Sequence, residues 1–199
     1  MSTENTASKL LVVATNNAHK LEELKSMLAA FFDVKGMAEV GFTREIPEDA
    51  ETFAGNALIK ARTIAGQLNC AWIADDSGLE VFALNNEPGV YSARYAGEPK
   101  NDGRNLQKVL DKLAGKSDRS ARFVTALAYI QNGLEYVFEG EVKGTLLKEA
   151  KGNNGFGYDP VFVPDGYAET FAEMTSAQKN ALSHRARAID KFVEFISAD

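Results

Sequence analysis

The stretch AWIADDSGLEVFAL at residues 71–84 decides the fold, because an apolar run meets two adjacent acids and a second apolar run follows. The apolar flanks predict two buried strands, and Ser77-Gly78 predicts the turn that joins them. Asp75 and Asp76 then stand at the end of the first strand, where a metal ion or substrate can reach them. We interpret the other chemically suggestive residues of the chain as partners of this acidic pair.

The composition and net charge exclude several classes of protein. The 199 residues are 45% hydrophobic and 25% charged, which is ordinary for a globular protein. A net charge of −6 argues against nonspecific binding to nucleic acid, which needs a basic face. The first nine residues lack the apolar core of a signal peptide, and no apolar run approaches the length of a membrane span. We therefore expect a cytoplasmic protein without nucleic-acid or membrane partners, with a disordered leader at 1–9 and a single domain at 10–199.

Hydrophobic periodicity predicts strands and helices along the rest of the chain, whereas residues 32–51 show no regular pattern. The Asn132-Gly133 pair predicts a hairpin, which makes the sheet mixed instead of purely parallel. A kink or a second helix start is left open at Ser183. The predicted strands are 10–14, 122–130, 134–142 and 161–163. One predicted helix follows the polar loop 15–20, and three others span 52–68, 102–113 and 175–196.

Two loops are candidates for ligand binding. The loop 15–20 offers backbone N–H groups and a helix N-terminus to an anion, although it lacks the glycines of a Walker A loop. The glycine-rich segment 151–160 lets the backbone approach a ligand closely, and Phe156 and Tyr158 offer flat faces to a base. The alternatives are an ordinary exposed connection for the first loop and a mobile loop with two core aromatics for the second.

Charged residues on the predicted helices allow two interpretations. Asn56 and Lys60 are four residues apart, so they share the helix face opposite the apolar one. Lys179, His184 and Arg185 cluster near the start of the C-terminal helix. Taken alone, both groups are typical of solvated surface, and both are also placed to bind a negatively charged ligand.

Six segments occur in an order and spacing that are hard to obtain by chance. Together they resemble the inosine triphosphate pyrophosphatase family, which hydrolyses purine nucleoside triphosphates, and the match covers nearly the whole chain from residue 10. The family pattern usually has glycine where this chain has Asn16, and often where it has Ala50; neither change removes a charge. The segments are TNNAHK (15–20), ETFAGNALIKA (51–61), ADDSGLEV (74–81), YSARYAG (91–97), GFGYDPVF (155–162) and SHRARA (183–188).

The resemblance implies a fold, a reaction and an assembly. The fold would be α/β, an elongated mixed β-sheet flanked by helices, with two lobes and a central active-site cleft. The reaction would be the Mg²⁺-dependent hydrolysis of ITP, dITP and XTP to the nucleoside monophosphate and pyrophosphate. The assembly would be a homodimer.

The resemblance also assigns roles to residues. Asp76 would be the base or a metal ligand, with Glu48 as the second carboxylate on Mg²⁺, a cation that prefers hard oxygen ligands. Lys20 and Lys60 would neutralise the triphosphate. The role of Asp75 stays open, because adjacent strand residues point to opposite faces. The implied substrate-binding residues are Thr15, Asn16, Asn17, Ala18, His19, Lys20, Ser77, Phe156, Gly157, Tyr158, Asp159, Lys179, His184 and Arg185.

The choice of base follows from donor and acceptor chemistry. Hypoxanthine and xanthine present an acceptor at position 6, whereas adenine presents an amino donor, so a Lys or Arg donor favours the keto bases. Two other readings remain open. One is a pyrophosphatase for modified pyrimidines or for all triphosphates, and the other is a nucleotide-binding protein that uses the same cleft without catalysis.

Overall fold

The fold is described from a computed structural model that covers residues 9–65, 70–131 and 133–198. The predicted leader and the end of the predicted second helix, residues 66–68, lie outside these ranges apart from Lys9. The strands are β1 (Lys9–Val13), β2 (Phe32–Gly36), β3 (Ala71–Val81), β4 (Ser120–Gln131), β5 (Leu134–Leu146) and β6 (Phe162–Pro164). The α-helices are α1 (Ala18–Leu28), α2 (Phe53–Ile64), α3 (Asp102–Lys112), α4 (Ser176–Asn180) and α5 (His184–Ser197).

The six strands form one mixed sheet in the order β2-β1-β3-β4-β5-β6. Strand β1 runs parallel to both β2 and β3, and each of the pairs β3–β4, β4–β5 and β5–β6 is antiparallel. Helices α1 and α5 pack on one face of the sheet, and α2 packs on the other. The predicted class, a mixed α/β sheet flanked by helices, is confirmed.

Strand β3 corrects the prediction of two strands joined by a turn. It continues through Ser77 and Gly78, and it pairs with β4 from Trp72 to Val81. Asp75 and Asp76 therefore lie in the middle of a strand, not at its end. Gly78 serves close packing, because a Cβ there would lie 2.4 Å from the Ser92 hydroxyl and 2.5 Å from the Gly89 carbonyl oxygen.

Local signals placed most helix ends correctly. Thr52 caps α2 and Asn101 caps α3, each by accepting a hydrogen bond from a backbone N–H in the first turn. Ser183 caps α5, which confirms the second helix start that was left open at this residue. The prediction missed β2, a short strand in which buried Phe32 and Val34 flank an exposed aspartate. It also began α1 too late, since residues 18–20 already form its first turn.

The buried core consists of clusters at two ends of the sheet. One end packs α1, α2 and α5 on both faces of β1 and β3. The other end packs α3 and β6 against the last residues of β3, with Leu79 and Val109 at its centre. Among the residues described, no helix is long and apolar enough to cross a membrane.

Substitution of Gly78 by alanine tests this packing. We expect Gly78→Ala to lower the free energy of unfolding by about 1–3 kcal/mol, because the new methyl group would overlap Ser92 and a backbone carbonyl. Chemical denaturation measures the change. Gly103→Ala in α3 is the matched control, since a Cβ there meets its nearest atom at 3.4 Å. Equal stability of Gly78→Ala and the parent protein would show that the neighbouring atoms can move to accept a Cβ at this position.

Candidate active site

A cleft of about 800 Å³ runs past the middle of β3 and takes its walls from both faces of the sheet. It gathers nearly all of the predicted site residues from seven separate segments of the chain. Ala18 and His19 are the exceptions, since they lie beside the cleft in the first turn of α1 without lining it. The predicted residues that line it are Thr15, Asn16, Asn17, Lys20, Glu48, Lys60, Asp76, Ser77, Phe156, Gly157, Tyr158, Asp159, Lys179, His184 and Arg185.

The N-terminus of α1 forms one wall of the cleft. Asn17 caps the helix by accepting a hydrogen bond from the Lys20 backbone N–H at 3.1 Å, and the Asn17 N–H donates to the Thr15 hydroxyl at 3.1 Å. A helix N-terminus concentrates unpaired N–H groups and a positive dipole end, and the cleft-lining Lys20 adds a full charge. This wall is therefore suited to bind an anion.

Two side chains of α2 contact the carboxylates of Asp76 and Glu48 in the cleft. Asn56 Nδ2 donates to Asp76 Oδ2 at 3.0 Å, and Lys60 Nζ lies 3.6 Å from Asp76 Oδ1 and 2.7 Å from Glu48 Oε1. The interpretation of Asn56 and Lys60 as a solvated helix face is wrong, since both are buried. They face the sheet because a buried carboxylate needs hydrogen bonds and a counter-charge.

Arg94 also belongs to the cleft, although it was left without a role. Its guanidinium donates to the backbone oxygen of Glu48 at 2.9 Å and lies 3.5 Å from the Glu48 carboxylate. Arg94 therefore pairs with an acid, and the ring of Tyr91 lies 5.4 Å from its guanidinium carbon as well. Arg94 and Lys60 together hold the Glu48 loop against the cleft.

Asp75 faces the opposite side of the sheet and is completely buried. Its Oδ2 atom lies 3.2 Å from Lys20 Nζ and 3.0 Å from a terminal nitrogen of Arg185. Arg185 also donates to the Ser77 hydroxyl at 2.9 Å. The alternation along β3 thus separates two jobs: Asp75 holds cations in place, and Asp76 lines the cleft.

Glu23, on α1, is a site residue that the sequence analysis missed. Its carboxylate accepts hydrogen bonds from Lys179, at 2.8 Å, and from Arg185. Lys179 also pairs with Asp159 at 2.6 Å. The interpretation of Lys179, His184 and Arg185 as surface is wrong, since all three are buried. The available signal was the three-residue spacing between Lys20 and Glu23, which places both side chains on one helix face.

The glycine-rich loop wraps around Asp159. The Phe156 backbone N–H donates to Asp159 Oδ2 at 2.9 Å, and a Cβ on Gly155 would lie 2.1 Å from that same oxygen. The two aromatic residues differ in role. Tyr158 is buried and donates to the Ser92 carbonyl oxygen at 2.9 Å, whereas Phe156 is half-buried and lines the cleft.

The pKa values of the two adjacent carboxylates, Asp75 and Asp76, are shifted in opposite directions. Burial raises the pKa of Asp76, and the ammonium group of Lys60 only partly offsets this effect. Burial acts on the pKa of Asp75 in the same direction, but Lys20 and Arg185 outweigh it and hold that pKa well below its usual value. Two acids whose pKa values are pushed apart are typical of a site in which one takes part in proton transfer. Asp76 is the one suited to accept a proton.

Glu48 and Asp76 also fit a divalent cation. The described parts of the chain contain no group of three or more His, Cys, Asp or Glu side chains that could hold a metal ion alone. Mg²⁺ is usually bound through one or two carboxylates, with waters and substrate phosphates completing its shell. Two carboxylates that pair with the same lysine and face an anion-binding wall match that pattern.

The fold and the cleft define a class: an α/β protein whose cleft places acids and lysines beside a helix N-terminus that is suited to bind an anion. Comparison with known proteins narrows the class. The sequence matches the Ham1 family over residues 11–195. It is 50% identical over 187 residues to a Bacillus licheniformis protein named dITP/XTP pyrophosphatase, covering 92% of this chain and 95% of the relative. The chain belongs to the Ham1 family.

Two further similarities agree with this membership. A Porphyromonas gingivalis protein, also named dITP/XTP pyrophosphatase, is 45% identical over 187 residues, which cover 94% of this chain and 96% of the relative. The structure of the Staphylococcus aureus Ham1 protein superposes with a TM-score of 0.86 at 41% identity, covering 96% of this chain and 99% of that one. The likeness therefore extends over the whole fold.

His184 is a buried neutral base in this site. Its ring stacks on Phe123, with centroids 4.7 Å apart and planes 11° apart. Its Nδ1 atom is buried, and no hydrogen-bond partner for it occurs among the residues that the structure covers. Burial and the neighbouring Arg185 hold the pKa of His184 well below its ordinary value of 6.5. The folded protein therefore resists protonation of this ring.

This resistance makes stability depend on pH. Because the folded pKa of His184 is lowered, the unfolded chain binds the proton first, and stability is lost as pH falls through 6.5. We expect wild-type protein to lose up to about 1.4 kcal/mol more per pH unit below this value than His184→Phe, which keeps the stack on Phe123 but cannot titrate. Denaturation between pH 7.5 and 5 measures both, and parallel curves would contradict the assignment.

Proposed function

We propose that this protein hydrolyses dITP, ITP and XTP to the nucleoside monophosphate and pyrophosphate. The observation that carries the proposal is Asp76, a carboxylate of raised pKa that faces the cleft between Lys60 and the α1 N-terminus. Relatives that are 45–50% identical over nearly the whole chain carry the name dITP/XTP pyrophosphatase, which supports the same substrate class.

The triphosphate would lie along the α1 wall. Thr15, Asn16, Asn17 and Lys20 line that part of the cleft. Lys20 and Lys60 would offset the negative charge that develops during the reaction. Both lysines are held by acids, Lys20 by Asp75 and Lys60 by Glu48. A cation that is already oriented need not reorganise when the substrate binds, and this preorganisation is the main electrostatic contribution of the protein.

Asp76 would act on the attacking water. It accepts the proton as the water oxygen bonds to phosphorus and the bridging P–O bond between the α- and β-phosphates breaks, which releases pyrophosphate. Asn56 holds the Asp76 carboxylate in one orientation through its bond to Oδ2. Mg²⁺, held by Glu48 and Asp76, would supply charge neutralisation on the phosphate oxygens.

The base would lie against Phe156, with Lys179 and Arg185 reading its keto group. The guanidinium of Arg185 has five N–H donors and makes four hydrogen bonds to Asp75, Ser77 and Glu23. Lys179 has three donors and bonds Glu23 and Asp159. Each cation thus retains donor capacity for a carbonyl oxygen, while the amino group of adenine would place a donor against these donors.

We also propose that the protein is a homodimer, as the family resemblance implies. Sedimentation of the purified protein tests this assignment directly. A monomer at micromolar concentration would remove it without affecting the proposed reaction, because every residue assigned above belongs to one chain.

Replacement of Asp76 by asparagine tests the proposed base. We expect Asp76→Asn to lower kcat for ITP by about 10²–10⁴-fold, because asparagine is nearly isosteric but cannot accept the proton. Pyrophosphate release measures the rate. Asp33→Asn, which changes an exposed carboxylate on β2, is the matched control. Wild-type turnover in Asp76→Asn would show that another group activates the water.

Replacement of Glu48 by glutamine tests the metal site. We expect Glu48→Gln to raise the Mg²⁺ concentration for half-maximal activity by at least about tenfold, since even outer partners of metal ligands typically contribute that much. Titration of Mg²⁺ at saturating ITP measures the shift. Glu51→Gln, an exposed position on the same acidic loop, controls for lost charge. An unchanged requirement would exclude Glu48 from the metal site.

A further inference from the structure

His19 makes a ring contact that the proposed function does not use. Its imidazole stacks on the ring of Phe156, with centroids 5.2 Å apart and planes only 9° apart. The contact joins the first turn of α1 to the glycine-rich loop. Phe156 lines the cleft, whereas His19 is exposed and does not line it. His19 therefore contacts Phe156 from the rim of the cleft.

The backbone on either side of Phe156 is glycine, so no neighbouring side chain of the loop supports its ring. Gly155 and Gly157 flank it, both with positive φ angles of 72° and 61°. The backbone N–H of Phe156 is fixed by Asp159, but this bond does not fix the direction of the side chain. The ring itself is stacked on by His19, and the Lys179 ammonium group lies 4.9 Å from its centroid.

We propose that His19 is a positioning residue that holds the Phe156 ring in the orientation that a purine base stacks on. The inference rests on the proposed function, in which Phe156 is the stacking surface. It adds a connection between the two ends of the substrate, since His19 is adjacent to Lys20 in the turn that faces the phosphates. Bound phosphate and bound base would then both restrain the same helical turn.

The test compares ligands with and without a base. We expect His19→Ala to raise the KM for ITP by about 2- to 12-fold, the range for loss of one aromatic pair, with kcat changed less than twofold. The inhibition constant of inorganic tripolyphosphate, which has no base and would compete with ITP for the phosphate region, should not change. His19→Phe should restore the KM, because it keeps a flat ring at the same position. Glu22→Ala, at an exposed neighbouring position in α1, is the matched control.

A double substitution separates this role from a general effect on the helix. If His19 acts through Phe156, the variant Phe156→Ala/His19→Ala should have the same KM for ITP as Phe156→Ala alone. Additive effects of the two substitutions on KM, or an unchanged KM in His19→Ala, would overturn the role of His19. The proposed function would still stand as long as the wild-type protein hydrolyses ITP. A lowered KM would also overturn the role of His19, since it would mean that His19 competes with the base. Absence of ITP turnover in the wild type would overturn both proposals.

Discussion

The structure depends on the burial of two adjacent carboxylates, Asp75 and Asp76, in the middle of a central strand. An unpaired buried charge costs several kcal/mol, so each acid needs cations or donors from outside the strand. Lys20 of α1 and Arg185 of α5 meet Asp75 on one face, and Lys60 of α2 lies beside Asp76 on the other. This one requirement therefore ties three helices to the sheet and brings their charged residues to the cleft.

Further ion pairs extend from Arg185 to the glycine-rich loop at the other end of the cleft. Glu23 links Arg185 to Lys179, and Lys179 pairs with Asp159, which in turn holds the glycine-rich loop. Under the proposed function, the phosphate end and the base end are thus joined by a continuous series of buried and half-buried ion pairs. Residues that give the site its chemistry are also residues that the folded state needs, so changes in substrate choice and in stability should be coupled.

The sequence predicted those features whose signals are local. Asn101 and the start of α3 follow from capping chemistry, and the hairpin between β4 and β5 follows from the Asn-Gly pair. The turn at Ser77-Gly78 was wrong because pairing with β4 overrides the local preference. The burial of Lys60 could not be read locally either, since it depends on a carboxylate 16 positions away in β3. The motif resemblance located most of the site, but it did not point to Glu23.

Under the proposed function, one cleft combines phosphate chemistry with buried donors that read a keto base. The most direct test measures pyrophosphate release from ITP, XTP, GTP and ATP by the purified protein, with and without Mg²⁺. We expect fast, Mg²⁺-dependent release from ITP and XTP and slow release from GTP and ATP. Equal rates on all four substrates would contradict the base-reading role of Lys179 and Arg185, and release of orthophosphate alone would contradict the proposed reaction.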